Sequence, residues 1–100
     1  MNDTMYCPTE RNALKEFYEA AKGSEWTQSE YWTDAHIGHC KWYGVECNNA
    51  SKTIKLKLHG NGLSGKLTPY ISNLSSLEVL DLNNNDIKVR YVKMLAICEI

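Results

Sequence analysis

A repeat at a fixed offset constrains this chain more than any other feature. Laying "TIKLKLHGNGLSG", residues 53 to 65, over "LEVLDLNNNDIKV", residues 77 to 89, matches Leu56 with Leu80, Leu58 with Leu82, Asn61 with Asn85 and Leu63 with Ile87, each pair 24 residues apart. Repeats of this kind are structural units that cannot bury their apolar face alone and stack on their neighbours to do so. In "LKLHGN" and "LDLNNN" the leucines alternate with polar residues, which predicts two short strands, each with one buried face. The asparagine three residues after the second leucine can bond backbone groups freed where the strand turns away, and successive asparagines would form a ladder. Between the strands, "LSGKLTPYISNLSSL" spaces Leu63, Leu67, Ile71, Leu74 and Leu77 to fill a coil interior, with Gly65 and Pro69 turning the chain.

Upstream of the repeat the pattern is different. "PTERNALKEFYEAAKGSEW" reads as a helix with Leu14, Phe17, Tyr18 and Ala21 on one face, Thr9 capping its start and Gly23 ending it. The following "SEWTQSEYWTDAHIGHCKWYGVECNNAS" has no long period but holds Trp26, Trp32 and Trp42, which predicts a compact, irregular aromatic core. One hundred residues make one small domain or a piece of a larger protein, and 43% apolar with 23% charged residues is ordinary for a globular chain. A net charge of -1 supplies no basic footprint for nucleic acid. No run approaches the roughly 18 apolar residues of a membrane span, and the N-terminus lacks the basic start and apolar stretch of a secretory signal.

The chemistry-bearing residues are concentrated in "HIGHCKWYGVEC", residues 36 to 47. His36, His39, Cys40 and Cys47 are acceptable zinc ligands, with Cys7 a spare, but the usual spacing of two to four residues within a thiolate pair is absent. The same spacing lacks the close partner that activates a redox thiolate. A structural pair, either disulfide-bonded or buried and reduced, is the reading these residues favour. No nucleophile motif, phosphate-cradling loop or histidine-carboxylate metal motif is present, so the chain is read as non-enzymatic and without a cofactor. "GNGLSG" follows a strand but leads into a coil with no phosphate-binding lysine and serine after it.

From about Pro8 to Ile87 the chain resembles a known family. "LKLHGNGLSGKLTPYISNLSSLEVLDLNNNDI" is similar to the plant-type leucine-rich repeat, and "ERNALKEFY" followed by "CKWYGVEC" resembles the N-terminal cap domain that precedes such repeats in plant-type receptors and inhibitors. The resemblance implies an α/β fold: a right-handed solenoid whose parallel strands line a concave face, behind a helical, Trp-rich cap. It further implies a Cys40–Cys47 disulfide with Trp42 packed beside it, structural roles for Asn61 and Asn85, and proteins or peptides as the usual ligands. Three positions depart from the pattern. His39 stands where some members carry a second cysteine, which leaves Cys7 without an obvious partner. Val89 replaces the glycine of the repeat, and "VRYVKMLAICEI" neither continues the repeat nor resembles a closing cap.

If Leu56 and Leu58 point inward, Lys55, Lys57 and His59 face the concave side, joined from the next strand by Val79, Asp81 and Asn83. Lys57 and Asp81 would then be parallel-strand neighbours about 4.8 Å apart, able to form an exposed ion pair worth roughly 0 to 1 kcal/mol. Two strands are little for a standard interface of about 800 Å² per partner, so binding would need more repeats or help from the cap. Sequons at Asn2, Asn49 and Asn73 bear on function only in a secreted chain.

These readings divide the chain into a cap at 8–50, one complete and one partial repeat at 53–89, and a non-repeat tail at 90–100. The expected function is protein or peptide recognition as the first part of a receptor-like protein. The alternatives are a small His/Cys zinc-binding domain and a truncated remnant without its own ligand. The cysteine pair favours an extracellular or membrane-associated parent, the missing signal does not, and a terminal strand edge left unpaired would invite association.

Overall fold

A computed structural model describes residues 9–88 of the chain. The helix α1 spans Glu10–Ala20, and Thr9 caps it, its Oγ1 accepting from the Asn12 N–H at 3.1 Å. Its apolar face is fully buried at Ala13, Leu14 and Phe17, with Ala21 just beyond. The end of the helix differs from the sequence expectation. Lys22, not Gly23, takes the left-handed conformation, at φ 59°. Gly23 is needed for space instead: a Cβ there would come within 2.0 Å of the Tyr18 ring.

The three tryptophans are buried in one aromatic cluster with Phe17 and Tyr18. Trp26 and Trp32 meet edge to face with centroids 5.0 Å apart, and Trp32 and Trp42 are 5.1 Å apart. Each indole N–H finds a backbone carbonyl: Trp26 donates to Ala21 at 2.9 Å, Trp32 to Tyr43 at 2.8 Å and Trp42 to Ile37 at 3.1 Å. Buried polar groups left unpaired are costly, so these bonds let an aperiodic segment carry a fixed core. Arg11 ties the helix to the same segment. Its guanidinium lies 4.8 Å over the Trp42 ring and donates to the carbonyls of Ile37 and Asp34, at 2.8 and 2.5 Å.

Five short strands follow: β1 Val45–Cys47, β2 Thr53–Lys57, β3 Ser64–Lys66, β4 Val79–Asp81 and β5 Asp86–Lys88. One sheet has the order β1-β2-β4. β2 and β4 run parallel with Lys55 opposite Val79, Leu56 opposite Leu80 and Lys57 opposite Asp81, the 24-residue offset of the sequence. β1 runs antiparallel along the other edge of β2, pairing Val45 with Leu56 and Glu46 with Lys55. Gly44, at φ +83°, leads into it where a Cβ would lie 2.4 Å from the Lys57 carbonyl oxygen.

A second sheet, which the leucine pattern did not announce, pairs β3 with β5 in parallel, Ser64 opposite Asp86 and Gly65 opposite Ile87. This register is two residues short of the sequence match of Leu63 with Ile87; a shift of two preserves the alternation of faces. Gly65 has φ +90°, and a Cβ there would stand 2.4 Å from the Ala20 carbonyl oxygen, so the end of α1 rests on β3. The helix face, the tryptophans and Leu56, Leu58, Leu63, Ile71 and Leu74 form one continuous core.

The asparagines hold the turns. The Asn85 side chain accepts from the N–H groups of Asn61 and Leu63, at 3.0 and 2.9 Å, and donates to Leu58, Leu82 and Asn83 carbonyls. Asn61, only 2% exposed, makes the corresponding bonds one level earlier, to the loop at Gln28. Thr27–Gln28 thus takes the place that a preceding coil would occupy.

Candidate functional site

Two groups of residues were singled out in the sequence, and they lie at different places. The first is the sheet face opposite the leucines. Leu56 and Leu58 are fully buried, while Lys57 and His59 are exposed and Lys55 is half-buried. From β4 and the turn after it, Val79 is 38% exposed, Asp81 is half-buried and Asn83 is exposed. Strand alternation in a shared register brings these six side chains together on one surface.

The charges on that surface pair differently from the expectation. Lys57 and Asp81 are register partners, but among the described residues they form no ion pair with each other. Glu46 of β1 takes both lysines, its Oε2 lying 3.4 Å from Lys57 Nζ and its Oε1 3.9 Å from Lys55 Nζ. The carboxylate belongs to the residue opposite Lys55, so antiparallel pairing delivers it where the parallel neighbour competes poorly. Asp81 instead lies 3.8 Å from His59 Nδ1 and accepts from the Asn83 N–H at 3.1 Å. All these groups are substantially exposed, so each pair is worth little, about 0 to 1 kcal/mol. The face keeps cationic, anionic and apolar groups side by side.

Leu80, the counterpart of Leu56 one unit later, is 40% exposed. Its strand is the outer member of the sheet among the described residues.

The second group is the cysteine segment. Cys40 and Cys47 form a disulfide, linking the short helical turn His39–Lys41 to β1. Both sulfurs are thereby occupied, and the zinc alternative lacks support in this oxidised form. His36 is exposed, its backbone N–H bonded to the Asp34 side chain at 2.8 Å. Trp42 is 1% exposed and packs on Trp32 and Arg11. His39 turns toward the helix, where its Nε2 is 3.6 Å from Glu10 Oε1. That carboxylate oxygen also accepts from the Thr53 N–H at 2.7 Å. Glu10 and Glu46 are the polar residues that sequence reasoning missed. Alternation in "VEC" could have placed Glu46 outward, whereas nothing in the sequence links Glu10 to His39. Asn49 lies exposed in a turn and Asn73 half-buried in the Pro69–Asn73 turn. Asn2, Cys7, Cys98, Val89 and the tail fall outside the described residues.

Residues 7–48 match the family model described as the leucine rich repeat N-terminal domain. Phytosulfokine receptor 1 of Arabidopsis thaliana is 35% identical over 85 residues, covering 81% of this chain and 8% of the receptor. The receptor kinase-like protein Xa21 of Oryza sativa subsp. japonica is 40% identical over 58 residues, 53% of this chain and 6% of that protein. The chain therefore spans a small N-terminal fraction of the curated relatives it matches. Among solved structures, the crystal structure of PEPR1-AtPEP1 superposes with a TM-score of 0.63 at 22% identity, over 78% of this chain and 11% of that one. At that identity the likeness speaks for the fold alone, which is of leucine-rich-repeat type.

Proposed function

We propose that this chain, which carries a leucine-rich repeat N-terminal domain at residues 7–48, is the opening portion of a protein- or peptide-recognition ectodomain of receptor-like type. In this reading residues 8–50 are a Trp-rich cap, 53–89 begin a solenoid with one complete and one partial repeat, and 90–100 stand outside the repeat. The surface built from Lys55, Lys57, His59, Val79, Asp81 and Asn83 would be the first rungs of its concave binding face. One observation carries the proposal: parallel pairing at a 24-residue offset sets Lys55 beside Val79 and Lys57 beside Asp81, with Leu56 and Leu58 turned to the core. A face made this way extends with every added unit, as the extended binding surfaces of stacked repeats do.

The relatives give the proposal its class, since the named matches are a phytosulfokine receptor and a receptor kinase-like protein, and one structural neighbour is the PEPR1-AtPEP1 pair. The matched portion is a recognition module with no catalytic role in this reading. The test is selection of a random peptide library on the immobilised chain. Peptides so obtained should lose more than about tenfold in affinity for a Lys55→Ser, Lys57→Ser, Asp81→Ser variant and none for a Lys15→Ser, Lys66→Ser control. Equal binding of the selected peptides to both variants would refute the assignment.

A further inference from the structure

The turn that joins β1 to β2 carries a motif that the fold does not use. Asn48 and Asn49 stand side by side at its start, and the first of them holds it together. Asn48 Oδ1 accepts from the N–H groups of Ala50 and Lys52, at 2.9 and 3.1 Å. The Asn48 N–H donates to the Lys52 carbonyl at 2.9 Å, and the Asn48 carbonyl accepts from the Ser51 N–H at 3.0 Å. The Asn49 side chain makes no hydrogen bond among the described residues. Every residue from 48 to 52 is exposed.

We infer that Asn49 is the acceptor of an N-linked glycan. Asn49, Ala50 and Ser51 form the tripeptide that this transfer requires, with a hydroxyl two residues after the amide and no proline between them. The inference rests on the ectodomain reading, because only a chain that enters the secretory pathway meets the glycosyl donor. In the transfer the Asn49 amide nitrogen attacks the anomeric carbon of an oligosaccharide carried on a polyprenyl pyrophosphate. A carbon–nitrogen bond forms and the bond from that carbon to the pyrophosphate oxygen breaks. The lipid pyrophosphate leaves with the electron pair, and the nitrogen gives up one proton.

The position suits a bulky, hydrated group. Substitution at Asn49 Nδ2 breaks no bond of the turn, whereas the same change at Asn61 or Asn85 would remove side-chain bonds that hold the coil. Asn73, in the other sequon among the described residues, is half-buried in a turn packed against α1. In the sheet order β1-β2-β4 the turn at Asn49 lies on the side away from β4. A glycan there leaves free the edge on which further units would stack. The turn also precedes the first residue of β2, so the glycan stands beyond the end of the strand and not on the face of Lys57 and Asp81.

The full chain is secreted from eukaryotic cells behind a cleavable signal, with a C-terminal tag that bears an acceptor sequon of its own. Glycosylation of the tag reports entry into the pathway. A blank at Asn49 in such a chain counts against the inference and not against the ectodomain reading, which the peptide selection tests separately. Enzymatic release of the glycan in isotopically heavy water converts its asparagine to aspartate, and peptide mass mapping should find residue 49 so marked. Ser51→Gly deletes the hydroxyl while suiting the left-handed backbone at φ 62°, so it should lose the glycan at residue 49 and keep the fold. Because the glycan displaces no bond, the glycosylated parent should unfold within about 4 °C of an Asn49→Gln chain or above it. Unmodified Asn49 in a chain with a modified tag, a Ser51→Gly chain still modified at residue 49, or a glycosylated parent that unfolds further below Asn49→Gln than this overturns the inference.

Discussion

Replacing Asn61 by alanine tests how the irregular N-terminal part is joined to the repeat. The residue is 2% exposed, and its amide makes two short bonds to one residue, accepting from the Gln28 N–H at 2.8 Å and donating to the Gln28 carbonyl at 2.7 Å. Each such bond is worth about 1 kcal/mol net. Gln28 is itself exposed, so water can reach the freed groups, which keeps the total near 2 kcal/mol. For a domain of this size that lowers the unfolding midpoint by about 8–16 °C. Asn61→Asp separates the two bonds. The carboxylate keeps an acceptor for the Gln28 N–H but turns a second one toward the Gln28 carbonyl, and it buries a charge, so it should be at least as damaging as alanine. Thermal and urea unfolding followed by tryptophan fluorescence measures both, with amide hydrogen exchange at Gln28 as the local readout. Exposed Asn49→Ala serves as control and should stay within about 0.5 kcal/mol. An Asn61→Ala chain as stable as that control, or an Asn61→Asp chain as stable as the parent, would refute the reasoning.

Further expectations concern the backbone and the disulfide. Lys22→Gly relieves a left-handed lysine at φ 59°, and after the larger entropy of an unfolded glycine it should stabilise the chain by about 0.5–1 kcal/mol in urea titration. Gly65→Ala should do the reverse, by about 2 kcal/mol or more, because its Cβ would sit 2.4 Å from the Ala20 carbonyl oxygen; the unfolding midpoint reads it directly. Removing the disulfide as Cys40→Ala, Cys47→Ala opens an eight-residue ring, worth about 2–2.5 kcal/mol in the chain-entropy model, and comparison of urea midpoints checks the figure. Glu46→Gln should cost less than about 1 kcal/mol, since both lysine partners are exposed, and the loss should vanish in high salt.

The strands of the repeat were legible because a repeated unit states each contact twice. Leu56 and Leu80 occur at one offset, and the sheet adopts that offset as its register. Period-two alternation then assigns Lys55, Lys57 and His59 to the opposite face without reference to anything distant. The helix was legible for a similar reason, since Thr9 and the apolar face at Leu14 and Phe17 are local signals. Its end was not. Glycine is the usual left-handed residue after a helix, but the Tyr18 ring needs the space at Gly23, and the unusual backbone falls on Lys22. A packing demand from the preceding helical turn overrode a local preference.

Contacts that occur once have no such redundancy. Asn85 bonds the backbone of Asn61, a relation that the repeat predicts, but Asn61 has no earlier unit to bond and takes Gln28 instead. Any loop with a free N–H and carbonyl at the right height could have served, so no residue type marks Thr27–Gln28 for the task. The same holds for Glu46, which displaces Asp81 as the partner of Lys57 because β1 folds back antiparallel on β2. Parallel neighbours are fixed by the period; antiparallel ones depend on where a turn reverses. The site residues that periodicity could name are therefore those of β2, β4 and the turns after them, and those it could not name, Glu10 and Glu46, are contributed by the non-repeating segment that precedes β2.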